Sequence, residues 1–69
     1  MTLKEADEAA RLRLPVIHDG ITYCRITETG YRYNGKGERT GFVQLLDKGE
    51  HSVTYAAPER CKLAEGGTL

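Results

Sequence analysis

The dipeptide Asp19-Gly20 is the sequence feature that most constrains how this chain folds. Asp-Gly flanked by strand-forming residues is typical of a two-residue type I′ turn, which joins two antiparallel strands. The densest run of β-branched and aromatic residues in the chain, residues 21–27, follows it directly. We therefore predict a β-hairpin, whose register places His18 opposite Ile21 and Val16 opposite Tyr23.

Apolar residues occur on both faces of this predicted hairpin. One face carries Val16 and Tyr23. The other carries Cys24 and Ile26. A bulge that moves the inward side chains from one face to the other gives this pattern in a bent strand of a small barrel. We predict the bend near Cys24 and Arg25.

A short helix is predicted at the start of the chain. The sequence Thr2-Leu3-Lys4-Glu5 matches a capping box, in which the Thr and Glu side chains each accept a hydrogen bond from the other residue's amide. The helix should run to about Leu12 and must end before Pro15, whose ring disfavours a helical conformation at the preceding residue. Its apolar stripe is thin and consists of Leu3, Ala6 and Ala10.

The middle of the chain predicts an interrupted strand followed by a loop. Thr29-Gly30 should end the first long strand, and residues 31–33 (Tyr-Arg-Tyr) should resume an extended conformation with both tyrosines on one side. The three glycines among residues 35–41 predict a longer, mobile loop rather than a tight turn.

Two further strands are separated by Asp47-Lys48-Gly49. A three-residue turn with the glycine in the left-handed conformation would set Val43 opposite Val53, whereas a two-residue turn would set it opposite Thr54. Pairing apolar with apolar residues favours the first register. The strands then span residues 42–46 and 50–56, and the side chains that point inward are Val43, Leu45, Val53 and Tyr55.

The last elements suggest a familiar architecture. A single helical turn is predicted at residues 57–60 and a closing strand at residues 61–63. Five short strands with tight turns, one longer loop and a helical turn before the last strand resemble the element order of SH3-like small barrels. We therefore expect a mainly β protein, a small SH3-like five-stranded barrel preceded by a short N-terminal α-helix. Its parts are the helix at residues 1–13, the barrel at residues 14–64 and a disordered tail at residues 65–69.

The resemblance to SH3-like barrels does not imply one activity. This group includes Tudor-like and nucleic-acid-binding modules and many small bacterial and phage proteins, and a fold does not fix a function. The chain lacks the acidic loop and the paired aromatic residues with which peptide-binding SH3 domains bind proline-rich ligands.

Composition limits the class of function. Ten basic and ten acidic side chains cancel, so no overall field draws the chain to nucleic acid or to an anionic membrane. A chain of 69 residues makes one small domain with little room for an active-site cleft. Apolar runs of a few residues exclude a transmembrane helix, and residues 1–5 do not resemble a signal peptide. We expect a soluble cytoplasmic protein.

The titratable residues indicate neither an active site nor a metal centre. His18 with Asp19, and Glu50 with His51, are chain neighbours that should point to opposite faces of a strand, and the two histidines should be solvated. The two cysteines and two histidines lack the close spacing of a zinc site. We predict no catalytic residue, no cofactor and no metal. The two thiols that should remain free are Cys24 and Cys61.

A cationic and aromatic surface is the strongest candidate site. Rings beside cations suit single-stranded nucleic acid, because bases stack on the rings while phosphates contact Lys and Arg. The competing interpretation is that the tyrosines cover the barrel and the loop is merely solvated, and the neutral net charge favours it. The candidate residues are Tyr23, Arg25, Tyr31, Arg32, Tyr33, Lys36 and Arg39.

Two functions therefore compete. The first is a non-enzymatic interaction module, such as an accessory protein of a mobile element, that binds a protein partner or itself through an exposed edge strand or the N-terminal helix. The alternative is a nucleic-acid-binding small barrel that uses the Tyr, Arg and Lys surface.

Overall fold

The structure is a computed structural model that describes residues 1–64 of the chain. These residues form a mainly β protein with a short N-terminal helix, as the sequence predicts. The helix α1 is Leu3–Arg11, a 3₁₀ turn lies at Pro58–Arg60, and the strands are β1 (Val16–His18), β2 (Ile21–Tyr23), β3 (Arg25–Tyr33), β4 (Arg39–Leu46), β5 (Val53–Ala56) and β6 (Cys61–Leu63). The predicted tail, residues 65–69, lies outside the described residues.

The strands form two antiparallel three-stranded sheets, with strand orders β2-β1-β6 and β3-β4-β5. Within residues 1–64 there are thus six strands in two sheets, and no closed five-stranded barrel is found. The predicted helical turn and closing strand are confirmed: the turn is of the 3₁₀ type, and β6 follows it and pairs with β1.

The hairpin of β1 and β2 is confirmed in turn and register. Asp19 and Gly20 both have positive φ angles, 51° and 76°, as a type I′ turn requires. The register places Val16 opposite Tyr23 and His18 opposite Ile21, as predicted.

The bend predicted near Cys24 is also present. Cys24 interrupts the strand between β2 and β3, and its N–H donates to the Leu46 carbonyl at 2.8 Å, so the chain passes directly from one sheet to the other. The buried position moves from Tyr23 to Ile26 across this interruption. A β-bulge between Ile26 and Glu28 then adds one residue to β3 and shifts the inward positions again.

The N-terminal helix is confirmed and is packed on the β3-β4-β5 sheet. Both hydrogen bonds of the capping box are present, between Thr2 and Glu5. Ala6 and Ala9 are fully buried in the hydrophobic core. Because alanine side chains are short, the helix axis can approach the sheet closely, and the apolar stripe is therefore used within the fold.

The predicted end of a strand at Thr29-Gly30 is wrong, because β3 continues through both residues to Tyr33. A Cβ atom on Gly30 would lie 2.9 Å from Cε1 of Phe42 on the neighbouring strand β4. The glycine therefore makes room for an aromatic ring within the strand rather than ending it.

The predicted register of β4 and β5 is wrong. The structure pairs Leu46 with Val53 and Val43 with Ala56, so neither register derived from the sequence occurs. The connection is longer than predicted: the Asp47 N–H donates to the Ser52 carbonyl at 3.1 Å and closes a four-residue loop. Its left-handed residue is Glu50, with a φ of 58°, and not the glycine before it. Val53 and Tyr55 consequently point away from the core, in contrast to the prediction.

The β3-β4-β5 sheet therefore has two different faces. Its inner face, covered by α1 and by core residues of the other sheet, carries the fully buried Val43 and Leu45. Its outer face, on the opposite side, carries side chains that the register places together without a covering element in the described chain. They are Arg25, Glu28, Arg32, Thr40, Phe42, Gln44, Leu46, Val53 and Tyr55.

Candidate interaction surfaces

The structure separates most of the predicted site residues and does not gather them into one surface. Tyr23 is 8% exposed and belongs to the core, so its ring does not contribute to a surface. Arg25 is half-buried and pairs with Leu46 at the far end of β3, about 20 Å from Tyr31 at 3.3 Å per residue. Tyr31, Tyr33 and Arg39 lie on the helix side of the sheet, Arg32 lies on the outer face, and Lys36 lies in the loop that follows β3.

Residues 31–40, which we call the hairpin arm, form the ends of β3 and β4 and the loop between them, and all ten are exposed. The Arg39 guanidinium lies 4.2 Å from the ring centre of Tyr31, a cation–π contact. Tyr33 is 71% exposed. The tyrosines are on the same side, as predicted, but one ring already stacks with an arginine.

The loop of the hairpin arm, predicted to be mobile, is closed by one side chain. Asn34 Oδ1 accepts from the backbone N–H groups of Lys36 and Glu38 at 2.8 and 3.0 Å. Its Nδ2 donates to Glu38 Oε1 at 2.9 Å. The connection is longer than a two-residue turn, as predicted, but its predicted end is wrong, because residues 39–41 belong to β4 and not to the loop. Asn34 gives the loop a defined hydrogen-bonded form.

The outer face carries a cluster that the sequence did not predict, formed by Arg32, Phe42 and Tyr55 and called here the arginine–aromatic cluster. The two rings meet edge to face at 5.8 Å between centres. The Arg32 guanidinium lies 4.2 Å from the ring centre of Tyr55 and 4.9 Å from that of Phe42. Such contacts fix a guanidinium plane while leaving N–H groups at its edge available for ligands.

Hydrogen bonds extend this cluster across the outer face. Gln44 Nε2 donates to the Tyr55 hydroxyl at 2.9 Å, and the Thr27 hydroxyl donates to Gln44 Oε1 at 2.9 Å. Tyr55 is absent from the predicted site residues because the predicted register of β4 and β5 turned it inward. A sequence signal for the cluster was Gly30, whose missing side chain lets Phe42 lie across β3.

A shallow groove of about 380 Å³ runs beside this cluster. Arg32 and Glu59 supply its opposite charges, and Phe42 and Tyr55 supply its aromatic surface. A second groove, of about 370 Å³, lies between α1 and β3 and is lined in part by Tyr31, Lys4 and Asp7. Both grooves are open to solvent and suit a chain segment better than a small enclosed ligand.

Strand β5 lies at an edge of its sheet, and it exposes an apolar and an aromatic side chain there. Val53 is 45% exposed and Tyr55 is 49% exposed. The hydrogen bond from the Asp47 N–H to the Ser52 carbonyl makes these two residues a hydrogen-bonded pair, and along an antiparallel ladder every second pair is hydrogen-bonded. The backbone groups of Thr54 and Ala56 therefore bond to β4, whereas the N–H and C=O groups of Val53 and Tyr55 point toward the open edge.

Away from these surfaces, the structure brings one pair of titratable chain neighbours close together. His18 Nε2 lies 3.7 Å from Asp19 Oδ2, which corrects the prediction that these side chains do not meet. They approach because Asp19 sits in the turn with a positive φ, where strand alternation does not apply. The His18 side chain is only 14% exposed, so it is not solvated as predicted.

Both cysteines are free thiols in the structure. Cys61 is buried, and this burial raises the pKa of its thiol above the ordinary value, which disfavours the reactive thiolate. Within residues 1–64 no three or more His, Cys, Asp or Glu side chains are grouped closely enough to hold a metal ion.

No protein-family model, curated protein or solved structure matches this chain. The described part of the chain contains no helix of the length and apolarity needed to cross a membrane.

Proposed function

We propose that this protein is a non-enzymatic interaction module that binds a protein partner through the outer face and the open β5 edge of its β3-β4-β5 sheet. The observation that carries this proposal is the arginine–aromatic cluster beside the exposed Val53 and Tyr55. Tyrosine and arginine are the residue types that contribute most to protein interfaces, and an edge strand offers backbone groups for strand addition.

The helix is a weaker candidate for partner binding than the sheet. Its buried residues, Ala6 and Ala9, already pack in the core, so its apolar stripe is not available. The outer face, in contrast, needs no rearrangement of the fold to become an interface.

We extend the proposal to the fold and infer that the two sheets correspond to an SH3-like barrel. Strand β2 continues into β3 through the bend at Cys24 and so joins the two sheets. If β2 and β3 are counted as one bent strand, the strands follow one another in the order β6, β1, β2–β3, β4, β5. This order and the 3₁₀ turn before the last strand support the resemblance. Small barrels of this kind often serve as binding modules, which agrees with the proposed function.

The chain offers a well-matched pair of variants for the test. Val53→Asp places a charge on the proposed surface, and Leu12→Asp places one at a residue of nearly equal exposure, 46%, next to α1. A partner retained from an extract of the source cells should be lost with Val53→Asp and kept with Leu12→Asp. Retention that does not differ between the two variants would contradict the proposal.

A second candidate function, nucleic-acid binding, has support from the hairpin arm. Residues 31–40 are all exposed and include Arg32, Lys36 and Arg39, with Glu38 as the one acidic residue. Exposed tyrosine rings beside cations on one ribbon suit single-stranded nucleic acid. Against it, Arg32 and Arg39 already occupy ring faces on which bases would stack, and the net charge is zero.

This second candidate predicts a specific NMR result. Single-stranded DNA should shift the signals of Tyr31 and Tyr33 at low salt, and the affinity should fall as salt increases. Tyr33→Ala should weaken binding severalfold, since one stacked base contributes about 1–3 kcal/mol. Unchanged signals in the hairpin arm would exclude it.

A further inference from the structure

We propose that the loop of the hairpin arm is a site of spontaneous covalent modification, at which the side-chain amide of Asn34 is converted to an acid through a cyclic imide with Gly35. The inference goes beyond the proposed function, because it concerns the loop and requires neither the open β5 edge nor a partner. Asn34 is the one asparagine of the chain, so asparagine deamidation can occur only there.

The nucleophile is the backbone nitrogen of Gly35. This glycine is exposed, and a Cβ atom on it would have no atom within 4 Å, so the surroundings leave the peptide unit accessible. Within residues 1–64 the Gly35 N–H donates no hydrogen bond that the reaction would have to break. A residue with a side chain would hinder the approach of its nitrogen to the preceding side chain, and glycine does not.

The electrophile is Cγ of Asn34, and the loop activates it. Oδ1 accepts from the N–H groups of Lys36 and Glu38 at 2.8 and 3.0 Å. The bond from the Lys36 N–H is that of an Asx turn, which folds the side-chain carbonyl back over the peptide unit between Asn34 and Gly35. Two fixed N–H donors also stabilise the negative charge that develops on Oδ1 when a nitrogen adds to Cγ, as in an oxyanion hole.

The reaction balances with water as its only co-reactant. The bond from the Gly35 nitrogen to Cγ forms, the bond from Cγ to Nδ2 breaks, and Nδ2 leaves as ammonia with the proton that the Gly35 nitrogen gives up. Glu38 Oε1, which accepts from Nδ2 at 2.9 Å, is placed to pass this proton to the leaving nitrogen. Water then opens the imide at one of its two carbonyl carbons and leaves aspartate or isoaspartate at position 34.

The product cannot keep the hydrogen bonds that close the loop. A carboxylate at position 34 does not donate to the Glu38 carboxylate and repels it. Isoaspartate in addition lengthens the backbone by one methylene group beside the pair of Tyr33 and Arg39, which ends the β3–β4 ladder. The conversion therefore loosens the hairpin arm, and it adds one negative charge to a segment that carries the cations Lys36 and Arg39.

The test follows the mass of the purified protein by mass spectrometry during incubation at neutral pH, and fragment analysis locates the change. The reference is a blocked peptide of residues 31–40, which has the same sequence without the rest of the fold. The protein should convert severalfold faster than the peptide, and Gly35→Ala should slow the protein strongly. Glu38→Gln keeps an acceptor oxygen but passes no proton, so it should slow conversion severalfold. Glu50→Gln removes a carboxylate from the other loop and should leave the rate unchanged.

Several results would overturn the inference. A protein that converts no faster than the peptide would do so, because the folded loop would then not promote the reaction. Equal rates in Glu38→Gln and Glu50→Gln would remove the carboxylate from the proton transfer. After conversion, the amide signals of Lys36 and Glu38 should shift in the NMR spectrum, and unchanged signals would contradict the loosening of the arm.

Discussion

The two faces of the β3-β4-β5 sheet differ in what their side chains do. On the inner face, Val43 and Leu45 are fully buried under α1 and the other sheet. On the outer face, aromatic and apolar side chains are kept partly exposed, and Arg32 stacks on two of their rings. The inner face accounts for stability, because burial of apolar area is the main favourable contribution to folding.

The outer face has a different physical character. Its ordered contacts are a cation–π stack, an edge-to-face ring pair and the hydrogen bond from Gln44 to Tyr55, each of which contributes about 1 kcal/mol or less at an exposed site. Such contacts orient side chains more than they stabilise the chain. The outer face is therefore ordered without being needed for the core.

The largest expected effect separates the faces by stability. Leu45→Ala on the inner face should lower the free energy of unfolding by about 2–5 kcal/mol, because the fully buried side chain leaves a cavity. Tyr55→Ala on the outer face removes a ring pair, a cation–π contact and a hydrogen bond at a half-exposed site and should lower it by about 1–2 kcal/mol, less than Leu45→Ala. Urea unfolding followed by circular dichroism measures both, and equal losses would contradict the distinction between the faces.

The second effect concerns the helix that covers the inner face. Thr2→Ala removes the hydroxyl that accepts from the Glu5 N–H at 3.1 Å. Unfolding free energy should fall by about 1 kcal/mol, the usual contribution of an N-cap. Thr2→Ser retains a hydroxyl and is the control. A loss as large with serine as with alanine would show that the cap is not the cause.

The third effect concerns the loop that decides which face Tyr55 occupies. The Asp47 carboxylate accepts from the His51 N–H at 2.9 Å and the Ser52 hydroxyl at 2.8 Å, and these hydrogen bonds hold the pKa of Asp47 below its ordinary value. A carboxyl pKa lowered by folding adds stability above the unfolded-state pKa, and this stability is lost as the pH falls through the folded-state pKa.

The melting temperature should therefore fall between about pH 5 and pH 2, and fall less in Asp47→Asn. The Glu5 carboxylate, whose pKa is lowered by hydrogen bonds from Thr2, leaves some acid dependence in that variant. Thermal unfolding at a series of pH values measures the effect. An identical acid dependence in both proteins would mean that Asp47 does not hold the loop.

The smallest effect tests the order of the outer face itself. Gly30→Ala would place a Cβ atom 2.9 Å from Cε1 of Phe42, so the ring must move and the stack with Arg32 must change. Gly35→Ala adds a methyl group where no atom lies within 4 Å and is the matched control. The NMR signals of Arg32 and Tyr55 should shift in the first variant only, and shifts in neither would contradict the cluster.

The sequence predicted the first hairpin because the turn chemistry was local. An Asp-Gly pair specifies two positive φ angles, and with them the register and the faces of β1 and β2. The capping box was equally local, since both of its hydrogen bonds join Thr2 and Glu5.

The second hairpin could not be predicted in the same way. Its register depends on the Asp47 side chain, which bonds four and five residues ahead and sets a four-residue loop with Glu50 left-handed. The register implied by a two-residue turn would have placed Tyr55 on the outer face, where the structure has it, but the pairing of apolar residues argued against that register. Apolar pairing failed because Val53 and Tyr55 are exposed side chains of an edge strand, which is also why the arginine–aromatic cluster was missed.

Amide hydrogen exchange of the protein alone is the most direct test of an open edge beside an ordered outer face. The N–H groups of Thr54 and Ala56, which bond to β4, should exchange slowly, whereas those of Val53 and Tyr55 should exchange rapidly. Equal protection of all four amide groups in the dilute, unbound protein would contradict the account.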